Sequence, residues 1–350
     1  MERDQFYMQR CIQLAKMANG YAKPNPMVGA VLVYNDTIIG EGYHQQYGGP
    51  HAEVNCINSV AENNKHLISK STLYVSLEPC AHYGKTPPCS LLIIQNQIPK
   101  VVIGMQDPFA QVNGKGIDQL KAAGINVITD VLKNDCQILN KRFITFHTAK
   151  RPYIILKWAQ TANGFIGSNT TKRLFISNLF TNRIVHQWRS EEAAILIGKN
   201  TALYDNPNLT NQYWPCTPQP IRMVIDNTCS LPSTLNIFNT NFPTWVWNSQ
   251  KNESIGFVSY FKLHQSSTVI SSILEACYEK NIQSILVEGG ANVLQQFIDA
   301  GLWDEARVIT NLNMSVPNGI IAPKLKSALL SNTENIQSDL IQYFIPAQHV

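Results

Sequence analysis

His51, Glu53, Cys80 and Cys89 are the residues of this chain whose types and spacing could do chemistry. They lie in three short segments, His51-Ala52-Glu53, Pro79-Cys80 and Pro88-Cys89. One imidazole and two thiolates make three protein ligands, which leaves the fourth tetrahedral position of a zinc ion open to water. Zinc lowers the pKa of such a water towards neutrality, the chemistry of a hydrolytic nucleophile. Glu53, two residues beyond the imidazole, is placed to carry the protons that hydrolysis must move. The plainer alternatives are a structural zinc staple or no metal at all. Structural sites are usually closed by four ligands, and no fourth Cys or His falls at a convincing spacing; His82 lies close by but belongs to no standard structural pattern. Cys11, Cys56, Cys136, Cys216, Cys229 and Cys277 sit singly in apolar surroundings and read as packing residues.

These ligands need helix ends to hold them. Residues two apart on a helix point roughly 200° apart, so His51 and Glu53 converge only if His51 projects from the first turn. Gly48-Gly49-Pro50 is suitable punctuation for that end. Cys89 follows Pro87-Pro88 at a second helix start, where the positive end of the dipole favours a thiolate. Around them the spacing predicts a helix over 3–19, a hairpin of strands 28–33 and 37–42, and a helix from 51 to about 62. A buried strand over 72–77 then leads into Glu78-Pro79-Cys80, followed by a helix from 89, strand 101–105, helix 116–123 and strand 126–129. Such alternation implies a layered α/β domain with a largely parallel sheet.

A second alternating series starts after Lys150-Arg151-Pro152, with strands 153–158, 193–198, 221–226, 284–287 and 306–310 and helices 179–189, 270–280 and 291–300. The boundary is placed near residue 147, giving domains 1–147 and 148–350. Three hundred and fifty residues, 44% hydrophobic and 15% charged, suit two folded domains rather than a disordered chain. A net charge of +4 without any Lys/Arg block gives little support to a nucleic-acid footprint. No apolar run is long enough to span a bilayer, and the start lacks the core of a signal peptide. Eight cysteines, two of them assigned to metal, fit a reducing cytoplasm. A homo-oligomer is expected.

His-x-Glu followed by Pro-Cys, with a Glu that is not a ligand, is the pattern of zinc-dependent base deaminases. Eight residues separate the two cysteines where two are usual, and this narrows the family. Pro24-Asn25-Pro26-Met27-Val28-Gly29, Gly49-Pro50-His51-Ala52-Glu53 and the run from Glu78 to Cys89 with its Gly84-Lys85-Thr86-Pro87-Pro88 loop together resemble the bifunctional deaminase–reductases of riboflavin biosynthesis. Asp107-Pro108 with Val112–Gly116 is similar to a later loop of that family, although Phe109-Ala110 replaces its usual Asn-Pro. The resemblance covers nearly the whole chain. It implies a cytidine-deaminase-like three-layer domain followed by a dihydrofolate-reductase-like α/β domain. It further implies one Zn²⁺ per chain and NADPH, and a small-molecule phosphoribosylaminopyrimidine substrate. That substrate would lose its 2-amino group by hydrolysis, and its ribosyl group would then be reduced to ribityl.

Carried over position by position, Glu53 is the catalytic proton carrier and His51, Cys80 and Cys89 hold the metal. Asn25, held between two prolines, presents its amide to a pyrimidinone edge, or simply makes a turn. Gln160, Phe175, Thr201, Asp205, Asn227, Gly290, Ala291 and Asn292 fall at NADPH positions, and Arg173, Arg189, Leu209, Gln212 and Glu288 at substrate positions. Val287-Glu288-Gly289-Gly290 could cradle phosphates at a strand–helix turn, but it does not match the full dinucleotide fingerprint. Arg189 could equally be a solvated charge on a helix face. Two departures stand out: Ala162-Asn163-Gly164 replaces Leu-Asp-Gly, and Gln212 replaces an Arg after Leu209-Thr210, removing a bidentate phosphate clamp. They motivate an alternative in which the second domain is degenerate and non-reducing. A nucleic-acid base deaminase is a further alternative, which would need a basic aromatic groove that the chain lacks.

Overall fold

The computed structural model describes residues 2–83, 87–109, 112–168, 174–215, 218–239, 241–263 and 268–347. The chain divides into two compact units, Met1–Lys150 and Arg151–Val350.

In the first unit, helix α1 (Glu2–Lys16) precedes strands β1 (Gly29–Tyr34) and β2 (Thr37–Tyr43), joined by a two-residue turn. Asn35 and Asp36 both take left-handed φ there, which short polar residues tolerate. Helix α2 (Ala52–Asn58) stops short of the expected 62 and gives way to a 3₁₀ segment, Glu62–Lys70. There follow β3 (Thr72–Val75), α3 (Cys89–Gln95), β4 (Lys100–Ile103), α4 (Lys115–Ala122), β5 (Asn126–Ile128), α5 (Lys133–Leu139) and α6 (Lys141–Ala149). Sheet order is β2-β1-β3-β4-β5. Only β3, β4 and β5 run parallel; β1 is antiparallel to both neighbours, which corrects the expectation of a largely parallel sheet.

Both faces of this sheet are covered, and alternation along the strands shows how. Ala30, Leu32, Leu73, Val75, Val101 and Ile103 pack with Ala52, Cys56 and Ile93 of α2 and α3. Val31, Val33, Tyr74 and Val102 face the other way, onto Met8, Cys11 and Ile12 of α1 and onto Cys136 and Leu139 of α5. The sheet is therefore the middle of three layers, with α2 and α3 on one face.

The second unit begins with β6 (Tyr153–Thr161) and β7 (Phe165–Gly167), then α7 (Leu179–Glu191), β8 (Ala194–Gly198), α8 (Lys199–Asp205) and β9 (Ile221–Ile225). Strands β10 (Thr244–Asn248), β11 (Glu253–Ile255) and β12 (Val258–Lys262) precede α9 (Val269–Glu279), β13 (Ser284–Val287) and α10 (Ala291–Asp299). The unit closes with β14 (Glu305–Asn311), β15 (Ile320–Ile321), β16 (Ala328–Ile336) and β17 (Asp339–Pro346). Ten strands form one sheet in the order β11-β12-β10-β9-β8-β13-β6-β14-β17-β16. Its centre, from β10 through β14, is parallel. Ile154, Leu156, Ala194 and Leu196 pack on one face and Ile155, Ile195, Ile197 and Val224 on the other, so these strands are buried on both sides, as parallel strands between helices are. No helix among the described residues is long and apolar enough to cross a membrane.

Candidate active sites

His51 occupies the N-cap of α2 in extended backbone, one residue before the helix, and Cys89 is the first residue of α3. Both helices lie on the same face of the first sheet, and Cys80 follows β3 to meet their ends. His51 Nδ1 lies 3.4 Å from Cys89 Sγ and 3.6 Å from Cys80 Sγ. All three candidate ligand atoms fall within 4.8 Å of one another, and no other group of three metal-binding side chains among the described residues does so. Ordinary Zn–S and Zn–N bond lengths at tetrahedral angles require a sulfur-to-nitrogen edge of about 3.6 Å. The donor set therefore fits zinc in both chemistry and spacing. The backbone N–H of Cys89 donates to Cys80 Sγ at 3.3 Å, orienting that ligand.

Electrostatics point the same way. A hydrogen bond from the Cys89 thiol, reinforced by the His51 ring, holds the Cys80 thiol down at about 4, and the same shared proton drives Cys89 far above the thiol range. The hydrogen bond to Cys80 raises His51 to about 9. A thiolate thus stands against an imidazolium, and metal uptake must release the protons held by His51 and Cys89. Glu53 is only 3% exposed, and burial pushes its carboxyl up to about 7, within hydrogen-bonding reach of Cys89. A carboxyl poised near neutrality is suited to exchanging protons in both directions.

Two further residues organise this site, and neither was assigned from the sequence. His44 has Nδ1 3.0 Å from the Pro50 carbonyl and Nε2 3.0 Å from Asn25 Nδ2. The carbonyl only accepts, so Nδ1 carries the proton, Nε2 accepts from Asn25, and the Asn25 amide oxygen is left for other partners. Glu78, 4% exposed, accepts four backbone N–H groups: Asp107 and Gly114 on Oε2, Gly116 and Ile117 on Oε1. It pins the loop before α4 against the segment carrying Cys80. At Gly116 the approach is so close that a Cβ would lie 2.0 Å from the Pro79 carbonyl oxygen.

The second unit holds a cleft of about 1180 Å³ at the carboxyl ends of its parallel strands, where open α/β sheets bind ligands. Arg189 of α7 reaches its floor and makes a two-pronged ion pair with Glu288, Nε to Oε1 at 2.6 Å and Nη2 to Oε2 at 2.7 Å. Its Nη1 donates to the Thr210 carbonyl, and Lys157 Nζ stands 3.8 Å from Glu288. Burial alone would raise the Glu288 carboxyl, but Arg189 and Lys157 outweigh it and hold it at about 2. The Gln212 backbone N–H donates to His186 Nδ1, and burial followed by the Arg189 charge keeps that imidazole at about 4. Beyond Glu288, Gly290 adopts φ +67 as the N-cap of α10, and a Cβ there would meet Thr201 Oγ1 at 3.2 Å. That bare turn is a backbone cradle of the kind that diphosphates enter.

Residues 1–105 match the family described as the cytidine and deoxycytidylate deaminase zinc-binding region, and residues 152–311 match the RibD C-terminal domain. The riboflavin biosynthesis protein RibD of Aquifex aeolicus is 35% identical, with 98% of each chain covered. The chain belongs to the RibD family. The RibD of Bacillus amyloliquefaciens is 37% identical over 86% of this chain and 82% of its own. The crystal structure of a diaminohydroxyphosphoribosylaminopyrimidine deaminase/5-amino-6-(5-phosphoribosylamino)uracil reductase from Thermotoga maritima superposes with a TM-score of 0.90 at 34% identity, covering 99% of both chains. Acinetobacter baumannii RibD gives 0.89 at 28% identity, again over 99% of both.

Within this RibD-family chain, the sequence candidates distribute unevenly. His51, Glu53, Cys80 and Cys89 come together. Asn25 is tied through His44, whose ring meets that of His51 edge-on at 5.8 Å. Phe175, Thr201, Asp205, Asn227, Gly290, Ala291, Asn292, Arg189, Leu209, Gln212 and Glu288 all line the cleft. Gln160 does not: its amide accepts from Trp158 Nε1 and donates to Thr310 Oγ1, tying β6 to β14. Arg189 is no solvated charge, since its guanidinium is buried against Glu288. Arg173, the 84–86 part of the inter-cysteine loop and Ala110 lie outside the described residues.

Proposed function

We propose that the first unit deaminates 2,5-diamino-6-(5-phosphoribosylamino)pyrimidin-4(3H)-one to 5-amino-6-(5-phosphoribosylamino)uracil, and that the second reduces the ribosyl group of that product to ribityl with NADPH. The chain is a bifunctional riboflavin-biosynthesis enzyme with a zinc deaminase domain and a reductase domain. The observation that carries the reading is the three-donor cluster with a buried, near-neutral Glu53 beside it. A domain boundary at 147 is supported by the compact units, which divide after Lys150.

His51, Cys80 and Cys89 would hold zinc, which supplies a Lewis acid that brings a water's pKa towards neutrality. The two protons of the attacking water pass through Glu53 in turn, the first to the ring nitrogen and the second to the amine, which leaves as ammonia. The burial of Glu53 keeps both protonation states accessible near neutral pH. Asn25, its orientation set by His44, offers a carbonyl acceptor to an N–H of the pyrimidinone edge.

In the second unit bound NADPH would supply a hydride. The Gly290–Asn292 turn, with Thr201, Asp205, Asn227 and Phe175, would hold it, while Leu209, Gln212 and Glu288 face the substrate. The Arg189–Glu288 pair leaves Arg189 two N–H donors for a phosphate, since three of its five are engaged. Gln160, whose amide bonds to Trp158 and Thr310, ties β6 to β14.

The small-molecule reading is tested by incubating the purified full chain with the diaminopyrimidinone nucleotide, with and without NADPH, and following ammonia release and NADPH absorbance separately. Ammonia should appear without NADPH, and NADPH oxidation should depend on prior deamination. Ammonia release without any NADPH oxidation would instead establish a non-reducing second domain. The absence of both signals would overturn the assignment.

A further inference from the structure

Two of the three metal-binding candidates stand at helix starts, but Cys80 lies beyond the end of β3 in irregular backbone and has no element of its own. What holds it comes from the far side of the inter-cysteine loop. The Cys80 carbonyl accepts the Ser90 backbone N–H at 3.1 Å and the Ser90 hydroxyl at 3.0 Å, besides the bond from the Cys89 N–H to Cys80 Sγ. Ser90 is fully buried, and its Oγ also stands 2.7 Å from Gln119 Oε1 of α4. One hydroxyl proton is thus shared between two acceptors in a three-centre bond. It ties the Cys80 segment, the start of α3 and the body of α4 together.

Helix α4 is itself fixed against the same segment. Its first turn is bonded to Glu78, and the bare Gly116 lets it approach the Pro79 carbonyl. Gln119 is three residues beyond Gly116 and so shares its side of the helix, which brings the amide to Ser90. The Ser90 hydroxyl is not there to satisfy a stranded acceptor. Without it the Cys80 carbonyl keeps the Ser90 backbone N–H, and Gln119 is an exposed residue whose amide has water. The hydroxyl therefore contributes to geometry more than to stability, as a side-chain tie across the base of an eight-residue loop.

A donor that waits in place spares an incoming ion the entropy of ordering it. Partners standing behind metal ligands are worth about 10- to 100-fold in metal affinity. Resting on the zinc reading of this site, we propose that Ser90, backed by Gln119 of α4, is a positioning residue that holds Cys80 ready for the metal and so sets the zinc affinity of this chain.

The test is the zinc affinity of the full chain, read by competition with a chromophoric chelator, beside the thermal melting of the metal-free chain, read by ellipticity. Ser90→Ala should weaken zinc binding about 10- to 100-fold and leave the metal-free melting where the wild type has it. Gln119→Leu, at an exposed position, should weaken zinc binding in the same direction, whereas Gln119→Glu, which keeps an acceptor oxygen, should retain the wild-type affinity. The two Gln119 variants decide the matter should Ser90→Ala fail to fold. Wild-type zinc affinity in Ser90→Ala and Gln119→Leu, equal losses in Gln119→Leu and Gln119→Glu, or a weakening that only follows an earlier metal-free melting, overturns the proposal while the zinc reading survives. A wild type that binds no zinc overturns both.

Discussion

Replacing Glu78 by Gln should unfold the first unit well below the temperature at which the wild type melts. Glu78 accepts two N–H groups on each carboxylate oxygen, at 3.1 and 3.0 Å on one and 3.0 and 3.3 Å on the other. Glutamine keeps one acceptor oxygen and puts an NH₂ donor where the other stood. Two buried backbone donors are then faced by a donor. Each unsatisfied buried group costs about 1–3 kcal/mol, so the pair costs about 2–6 kcal/mol, a large part of the 5–15 kcal/mol that a domain typically has. Whichever oxygen is lost, the damage falls on the loop before α4 or on its first turn, since Gly116 and Ile117 lie there and Glu78 caps both.

All six tryptophans lie beyond residue 151, so indole fluorescence reports the second unit alone. Far-UV circular dichroism reports both. The Glu78→Gln chain should show an early loss of ellipticity with no accompanying change in tryptophan emission. The later, tryptophan-reported transition should stay where the wild type has it. Thermal curves that coincide with the wild type in ellipticity would refute the idea that this carboxylate holds the loop.

Cys89→Ser should lose zinc and ammonia release together, measured by metal analysis and by deamination, while NADPH binding persists. Glu53→Gln should keep its zinc and lose roughly 10²–10⁴-fold in deamination rate, the usual worth of a positioned acid–base group. Arg189→Leu leaves Glu288 buried opposite only Lys157 and should cost the second unit about 3–5 kcal/mol, read as an earlier tryptophan-reported denaturant midpoint. Glu288 is pushed up by burial but held at about 2 by its cations, against an ordinary value of 4.5. The pair therefore contributes fully above pH 4.5 and is lost as pH falls towards 2; Glu288→Gln should flatten the acid branch of the tryptophan-reported stability curve in that window.

What could be read from the sequence was what is local. His51 and Glu53 are two residues apart, and the strand ends before Cys80 and Glu288 show as apolar runs. Where tertiary contacts decide, the reading failed. Helices α5 and α6 went unseen because the break between them, at buried Asn140, is set by bonds to the backbone of Met27, 113 residues away. The β16–β17 hairpin went unseen because β16 is exposed along most of its length and so carries no alternation. The bonds of the Gln160 amide to Trp158 on its own strand and to Thr310 were not legible either, since no motif announces them.

The same division runs through the two sites, and it explains why one was easier to read than the other. A metal centre is assembled from donors whose identity is its chemistry, so His, Cys and a nearby Glu announce it wherever they fall. In the cleft the deciding feature is a pairing between residues 99 apart, Arg189 with Glu288. A lone Arg on a helix and a lone Glu at a strand end have many possible tasks. Only the fold, by placing α7 over the end of β13, shows that most of the Arg189 guanidinium is committed before any substrate arrives. Two of its N–H donors remain, and Gln212, an exposed amide, lines the same cleft; on the reading proposed above, these are the groups left to meet a substrate phosphate.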